Sequence, residues 1–251
     1  MTTAAHAGGG STPRALLIDS GGVLLQMSGN LLQVASLLYG VHISEHDALR
    51  GVYAADASAV SDPALAALPF AARWGRAVSC ADEVALAIWD HLHSHVSPSV
   101  LWSRVNAEVI TLLAALPPGL PKVVVSNSVG HAAAEIEAVG LRRHFPVVLD
   151  SGQVGVEKPD RRIFELASCL TGVDLGACLY VSDRLDGPLG GELAQILYDP
   201  YGLYLSQVLP YGVQRVRHLA MVAEVFCGSD SRVNSDSLGP HTPEGQEAHF
   251  G

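Results

Sequence analysis

Four stretches of this chain follow apolar runs with groups suited to phosphoryl transfer. Asp19 closes Ala15-Leu16-Leu17-Ile18 and precedes Ser20, Gly21 and Gly22. Ser126 and Asn127 follow Val123-Val124-Val125, and Lys158 lies in Glu157-Lys158-Pro159-Asp160. Ser182 and Asp183 follow Leu179-Tyr180-Val181. A carboxylate can attack phosphorus and form an aspartyl-phosphate, which splits a hard hydrolysis into two easier steps. Asp19 is the candidate nucleophile. The transferred group spreads negative charge over its oxygens, so fixed cations and donors supply most of the catalysis. Lys158 is the candidate cation, with Ser126, Asn127 and nearby main-chain N–H groups as phosphate-binding donors. Mg2+ takes a few protein oxygens plus waters, and Asp19 and Asp183 are the candidate carboxylate ligands.

Such residues need a scaffold that brings four loops together. The apolar runs Ala15–Asp19, Lys122–Ser126, Pro146–Leu149, Cys178–Ser182 and Gln195–Tyr198 read as strands. They are short and do not alternate, which suits parallel strands covered on both faces. Helices are expected at Gly130–Val139, Arg161–Leu170 and Pro188–Ala194, with a last one at Val213–Phe226. This alternation argues for an α/β fold, a doubly wound parallel sheet with helices on both faces. Ligands of such sheets sit beyond the carboxyl ends of the strands, where all four polar groups fall. One connection is far longer than a crossover needs. Residues 27–116 carry helical periodicity, as in Leu31-Leu32-Val34-Ala35-Leu37-Leu38, with breaks at Pro63, Pro69 and Pro98. They read as an inserted helical cap domain. The core domain is then 14–26 with 117–227, and 1–13 and 228–251 read as disordered.

Bulk properties narrow the partners. The chain has 251 residues, 49% hydrophobic, and a formal charge of −10. Without a strongly basic patch, nucleic acid and anionic membranes are not expected partners. No apolar run is long enough to span a bilayer, and the first residues lack the pattern of a signal peptide. Cys80, Cys169, Cys178 and Cys227 have neither zinc-like spacing nor a CxxC pair, so they read as reduced, mostly buried thiols of a cytoplasmic protein. The Ala/Gly/Leu-rich composition is associated with bacterial genomes. The expected partner is a small phosphorylated molecule, and the chain is expected to be a monomer or homodimer.

The four motifs, in this order, resemble those of the haloacid dehalogenase-like (HAD) superfamily over most of residues 14–200. Val-Glu-Lys-Pro-Asp-Arg-Arg-Ile-Phe-Glu-Leu-Ala is the most specific match, and Tyr-Val-Ser-Asp-Arg-Leu-Asp-Gly is the loosest. The insert stands where the family carries its C1 cap. The resemblance implies a Rossmann-like core, Mg2+ as cofactor, Asp19 as nucleophile, and a main-chain carbonyl of Gly21 as a further metal ligand.

Two departures bear on activity. The family usually has a second Asp two residues after the nucleophile, which protonates the leaving group and activates water. Gly21 occupies that place and can do neither, a loss typically of about 10²–10⁴-fold. Ser182 replaces the first of the two adjacent carboxylates that Gly-bearing relatives usually show in the fourth motif. Gly187 and Pro188 stand where a further acid or amide is usual; Asp186 is a candidate substitute, but its offset from Asp183 is short and it reads rather as a turn or surface residue than as a metal ligand. These features leave two readings: a Mg-dependent phosphohydrolase slowed by Gly21, or a catalytically degenerate protein that binds a ligand or a partner protein. In the first reading, Gly21→Asp should raise activity. A dehalogenase fits poorly, since relatives of that kind carry an aromatic residue at the place of Gly21. A phosphonatase would need a cap lysine, yet lysine occurs only at 122 and 158. His91 and His95 share a helix face but lack a third ligand. Arg76 is a candidate anion contact in the cap, and Trp74, Trp89 and Trp102 read mainly as packing.

Overall fold

The computed structural model describes residues 12–188 and 191–227, so the expectation of disorder at 228–251 and over nearly all of 1–13 falls outside it. The chain opens with β1 (Ala15–Ile18), continues as β2 (Leu25–Gln26), and then enters six helices. These are α1 (Gly29–Leu38), α2 (Glu45–Ser61), α3 (Pro63–Ala66), α4 (Phe70–Ala77), α5 (Asp82–His95) and α6 (Pro98–Leu101). The return runs through β3 (Arg104–Val105) and α7 (Glu108–Ala115). There follow β4 (Lys122–Ser126), α8 (Ala132–Ala138), β5 (Val147–Asp150), α9 (Ser151–Val154) and α10 (Arg161–Thr171). The last elements are β6 (Cys178–Ser182), β7 (Ala194–Tyr198), β8 (Val213–Val216) and α11 (Ala220–Cys227).

Six strands form one parallel sheet in the order β5-β4-β1-β6-β7-β8. Because β1 lies between β4 and β6, the strand order reverses there, and the end of β1 is the switch point where such sheets bind ligands. Alternation along β1 sends its side chains to two cores. Leu16 and Ile18 join Val109, Leu112, Ile136 and Phe226 from α7, α8 and α11. Ala15 and Leu17 join Ile163, Phe164 and Ala167 of α10. Each fully buried Leu, Ile or Phe contributes about 1.5–3 kcal/mol, which accounts for the apolar runs on both faces.

The inserted helices have their own core, built around Leu32, Val52, Trp74, Ile88 and Trp89. Ser44 caps α2 by accepting from the Asp47 N–H, and Pro63 and Pro98 sit in first turns, where a missing N–H is harmless. β2 and β3 pair antiparallel, Leu25 with Val105 and Gln26 with Arg104, and so form the two-stranded stem that joins insert to sheet. α7 packs on the sheet beside α11.

Three expectations are corrected. Val213–Phe226 is not one helix: β-branched Val213 and Val216 add a sixth strand beside β7, and only Ala220–Cys227 is helical. Among the described residues of 188–194 there is no helix; Ala194 already belongs to β7, and Gly191 takes a left-handed φ of +74°. Of the four cysteines only Cys178 is buried, while Cys169 and Cys227 are exposed. No described helix is long and apolar enough to cross a membrane.

Candidate active site

The parallel ladder places Asp19 at the end of β1, where its N–H donates to the Val181 carbonyl at 2.9 Å. The Ser20 N–H donates to Asp19 Oδ1 at 2.7 Å, so the turn itself orients the carboxylate. Lys158 comes from the loop before α10, and its Nζ lies 2.5 Å from Asp19 Oδ2. Both residues are 5% exposed. Asn127 holds Lys158 in place by its main chain: Asn127 Oδ1 accepts from the Lys158 N–H at 2.8 Å, and Nδ2 donates to the Lys158 carbonyl at 3.0 Å. Asn127 also lines the cavity that holds Asp19 and Lys158. Ser126 ends β4 and lines the same cavity as Asp19 and Lys158.

Sequence reasoning missed the other half of this network. Asp186, read as a turn residue, lies 3.1 Å from Lys158 Nζ through Oδ2. Tyr180 accepts from Lys158 Nζ at 2.9 Å and donates to Asp186 Oδ1 at 3.0 Å. The Ser182 hydroxyl is within hydrogen-bond distance of Asp19 Oδ2 at 3.1 Å and Asp186 Oδ1 at 2.9 Å, and its single proton serves one at a time. Lys158 therefore stands between two carboxylates. Burial is the largest influence and opposes its charge, but Asp19 and Asp186 outweigh it and raise its pKa. Burial also raises the Asp19 carboxyl, with Lys158 pulling the other way. A tyrosine in the middle of an apolar strand was the available signal, since a buried hydroxyl needs a partner.

Asp183 follows β6 and presses against Gly22. A Cβ on residue 22 would lie 1.9 Å from Asp183 Oδ2, and Gly22 has a φ of +76°. Asp183 Oδ1 is buried without a hydrogen-bond partner among the described residues. Burial, then the nearby Asp19 and Asp56, push the Asp183 carboxyl well above the usual range. Two mutually repelling carboxylates and an orphaned oxygen fit a hard divalent cation. Among the described residues no three His, Cys, Asp or Glu side chains cluster as a metal site, so His91 and His95 find no third ligand. A cation here would rest on Asp19, Asp183, a carbonyl such as that of Gly21 on the same cavity floor, and waters, a set Mg2+ accepts.

The insert covers the site. The Tyr53 hydroxyl donates to the Gly22 carbonyl at 2.7 Å, and Asp56 lies 3.6 Å from Arg184 and 3.7 Å from Arg73. Between insert and sheet lies a cavity of about 470 Å³, lined by Asp19, Ser126, Lys158 and Asp183 below and by α2, α4 and α5 above. Arg76 does not line it; its guanidinium pairs with Asp82 instead.

A model of the haloacid dehalogenase-like hydrolase family matches residues 13–194. The bovine haloacid dehalogenase-like hydrolase domain-containing protein 3 is 34% identical over 107 residues, 43% of each chain. A Thermus thermophilus phosphoserine phosphatase is 43% identical over 67 residues, 26% of this chain and 27% of its own. The matched segments thus span less than half the length of these relatives. Among solved structures, a HAD-superfamily hydrolase of subfamily IA from Geobacter sulfurreducens superposes with a TM-score of 0.54 at 16% identity, covering 88% of this chain and 100% of that one. The magnesium-bound YfnB of Bacillus subtilis gives 0.58 at 14% identity, over 86% and 99%. At such identities the structures speak for the fold.

Proposed function

The chain belongs to the haloacid dehalogenase-like hydrolase family, and on that footing we propose that it is a phosphohydrolase of small soluble phosphate monoesters, with Asp19 as nucleophile. The observation that carries this reading is the buried Lys158 ammonium, which touches the attacking carboxylate at one end of a hydrogen-bonded chain to Asp186.

A phosphate monoester entering the cavity meets a floor that can hold it. The Ser126 hydroxyl and the Lys158 ammonium face its oxygens, and Lys158 offsets charge that Asp19 and the phosphoryl group would otherwise set against each other. Asp19, fixed by the Ser20 N–H and by Lys158, attacks phosphorus with little loss of freedom left to overcome. Asn127 keeps Lys158 in register, and Asp186, with Tyr180 and Ser182, keeps its ammonium protonated and aimed. Mg2+ held by Asp19, Asp183 and the Gly21 carbonyl would supply further charge compensation at the phosphate oxygens. The helices of Gly29–Leu101 serve as the cap that excludes water and contacts the leaving group.

The test is turnover of 4-nitrophenyl phosphate with and without Mg2+, beside Asp19→Asn. Mg-dependent turnover lost in the variant supports the reading, and equal rates for the two proteins refute it. A second reading, a binding protein with a retired site, is favoured by Gly21 and by the Trp102 ring that covers it. It predicts that inorganic phosphate binds without any turnover.

A further inference from the structure

Resting on the phosphohydrolase reading, the shape of the cavity above Asp19 narrows the leaving group. Gly21 brings no side chain to the floor, and the Trp102 indole stands where one would extend. A Cβ on residue 21 would lie 3.4 Å from Trp102 Cζ3 and 3.5 Å from Cη2. The wall above is apolar: Met27, Leu49, Val52, Phe70 and Trp89 line it with Trp102. Phe70 meets Trp89 edge-on at 5.0 Å, giving flat surfaces at an angle. Trp89 is 4% exposed, and its indole N–H has no hydrogen-bond partner among the described residues.

The protic side chains that α2 contributes are already occupied. The Tyr53 hydroxyl donates to the Gly22 carbonyl, and Asp56 pairs with Arg73 and Arg184. His93 and His131 are exposed at the rim. The wall thus offers body contacts to a ring, and residue 21 brings no acid beside the leaving oxygen. We infer that this site takes aryl phosphates, monoesters of a phenol.

The chemistry balances without a general acid. An Asp19 oxygen bonds to phosphorus as the phosphorus–oxygen bond to the ring breaks, and the electron pair leaves on the phenolate. The phenolate takes a proton from solvent. Water then attacks the aspartyl-phosphate, restoring the Asp19 carboxylate and releasing inorganic phosphate and the proton that offsets the one taken up. A phenolate departs far more readily than an alkoxide, so the missing acid matters least for this class.

Two measurements test it. The first compares kcat/KM for phenyl phosphate with 2-phenylethyl phosphate, which keeps the ring but leaves as an alkoxide, and with glycerol phosphate. Phenyl phosphate is expected to lead both by about 100-fold. The second reads binding of unreactive phenylphosphonate and methylphosphonate by tryptophan fluorescence. The phenyl compound is expected to bind at least about 10-fold tighter, an advantage reduced in Trp102→Ala, a change at a partly exposed residue. Equal turnover of aryl and alkyl esters, or equal binding of the two phosphonates, overturns the aryl assignment and leaves the phosphohydrolase reading standing. If no ester is turned over, that reading fails, and phosphonate binding alone then decides whether the pocket selects aryl groups.

Discussion

Asp183 and Gly22 are in such close contact that the carboxylate fills the place of a side chain: a Cβ at residue 22 would fall 1.9 Å from Asp183 Oδ2. Gly22 also takes a φ of +76°, a region L side chains rarely adopt. Gly22→Ala is therefore expected to destabilise the fold by about 1–3 kcal/mol and to displace Asp183. Thermal unfolding with and without Mg2+ checks both effects. The native protein should gain Tm from Mg2+ by mass action, and the variant should not.

Lys158 is wedged between Asp19 and Asp186, its side chain 2% exposed. Lys158→Met leaves the buried Asp19 and the half-buried Asp186 without their cation, and loss of one partner of a buried pair is expected to cost about 3–5 kcal/mol. Adding Asp186→Asn to that variant should recover part of the stability, because one uncompensated charge goes. Turnover should stay at the level of Asp19→Asn in both. Denaturant unfolding of the single and double variants measures the recovery.

Trp102 changes the expectation for Gly21→Asp. A Cβ at residue 21 would touch the indole at van der Waals distance, its nearest atom 3.4 Å away. The new carboxylate must share that space with the ring. With glycerol phosphate, whose leaving oxygen needs a proton, Gly21→Asp with Trp102→Ala is expected to exceed Gly21→Asp alone by about 10-fold or more. Equal rates would show that the ring does not restrict residue 21.

Glu135 lies on α8 and lines the cavity. Burial is the main reason its carboxyl is raised; His131 opposes the shift and Asp150 adds to it. A carboxyl raised in the folded state contributes stability below the ordinary glutamate value, about 4.3, and loses it as pH rises through the folded value. At pH 7 the ionised Glu135 thus weakens the fold, and Glu135→Gln should raise Tm. The gain should vanish near pH 4. A Tm difference that is the same at both values would contradict this.

Much of the scaffold was legible because it rests on local patterns. All five expected strands of the sheet exist, Lys122–Ser126 and Cys178–Ser182 to the residue, since continuous apolar runs suit strands buried on both faces. β8 was missed because a single short strand next to a helix has no periodicity of its own. The candidates Asp19, Ser126, Lys158 and Asp183 line one cavity, as the switch-point rule for parallel sheets requires.

By itself, then, the sequence determined five of the six strands of the sheet, the insertion of a helical segment after the first strand, and the four loops at the carboxyl edge. Apolar periodicity and motif order act over a few residues and survive without three-dimensional context. Only the tertiary structure decided that Asp186 and Tyr180 share Lys158, that Asn127 serves its main chain, and that Trp102 lies over Gly21. Trp102 and Gly21 are 81 positions apart in the chain, counted from their numbers. What joins them is the antiparallel stem of β2 and β3, which returns the insert to its starting point.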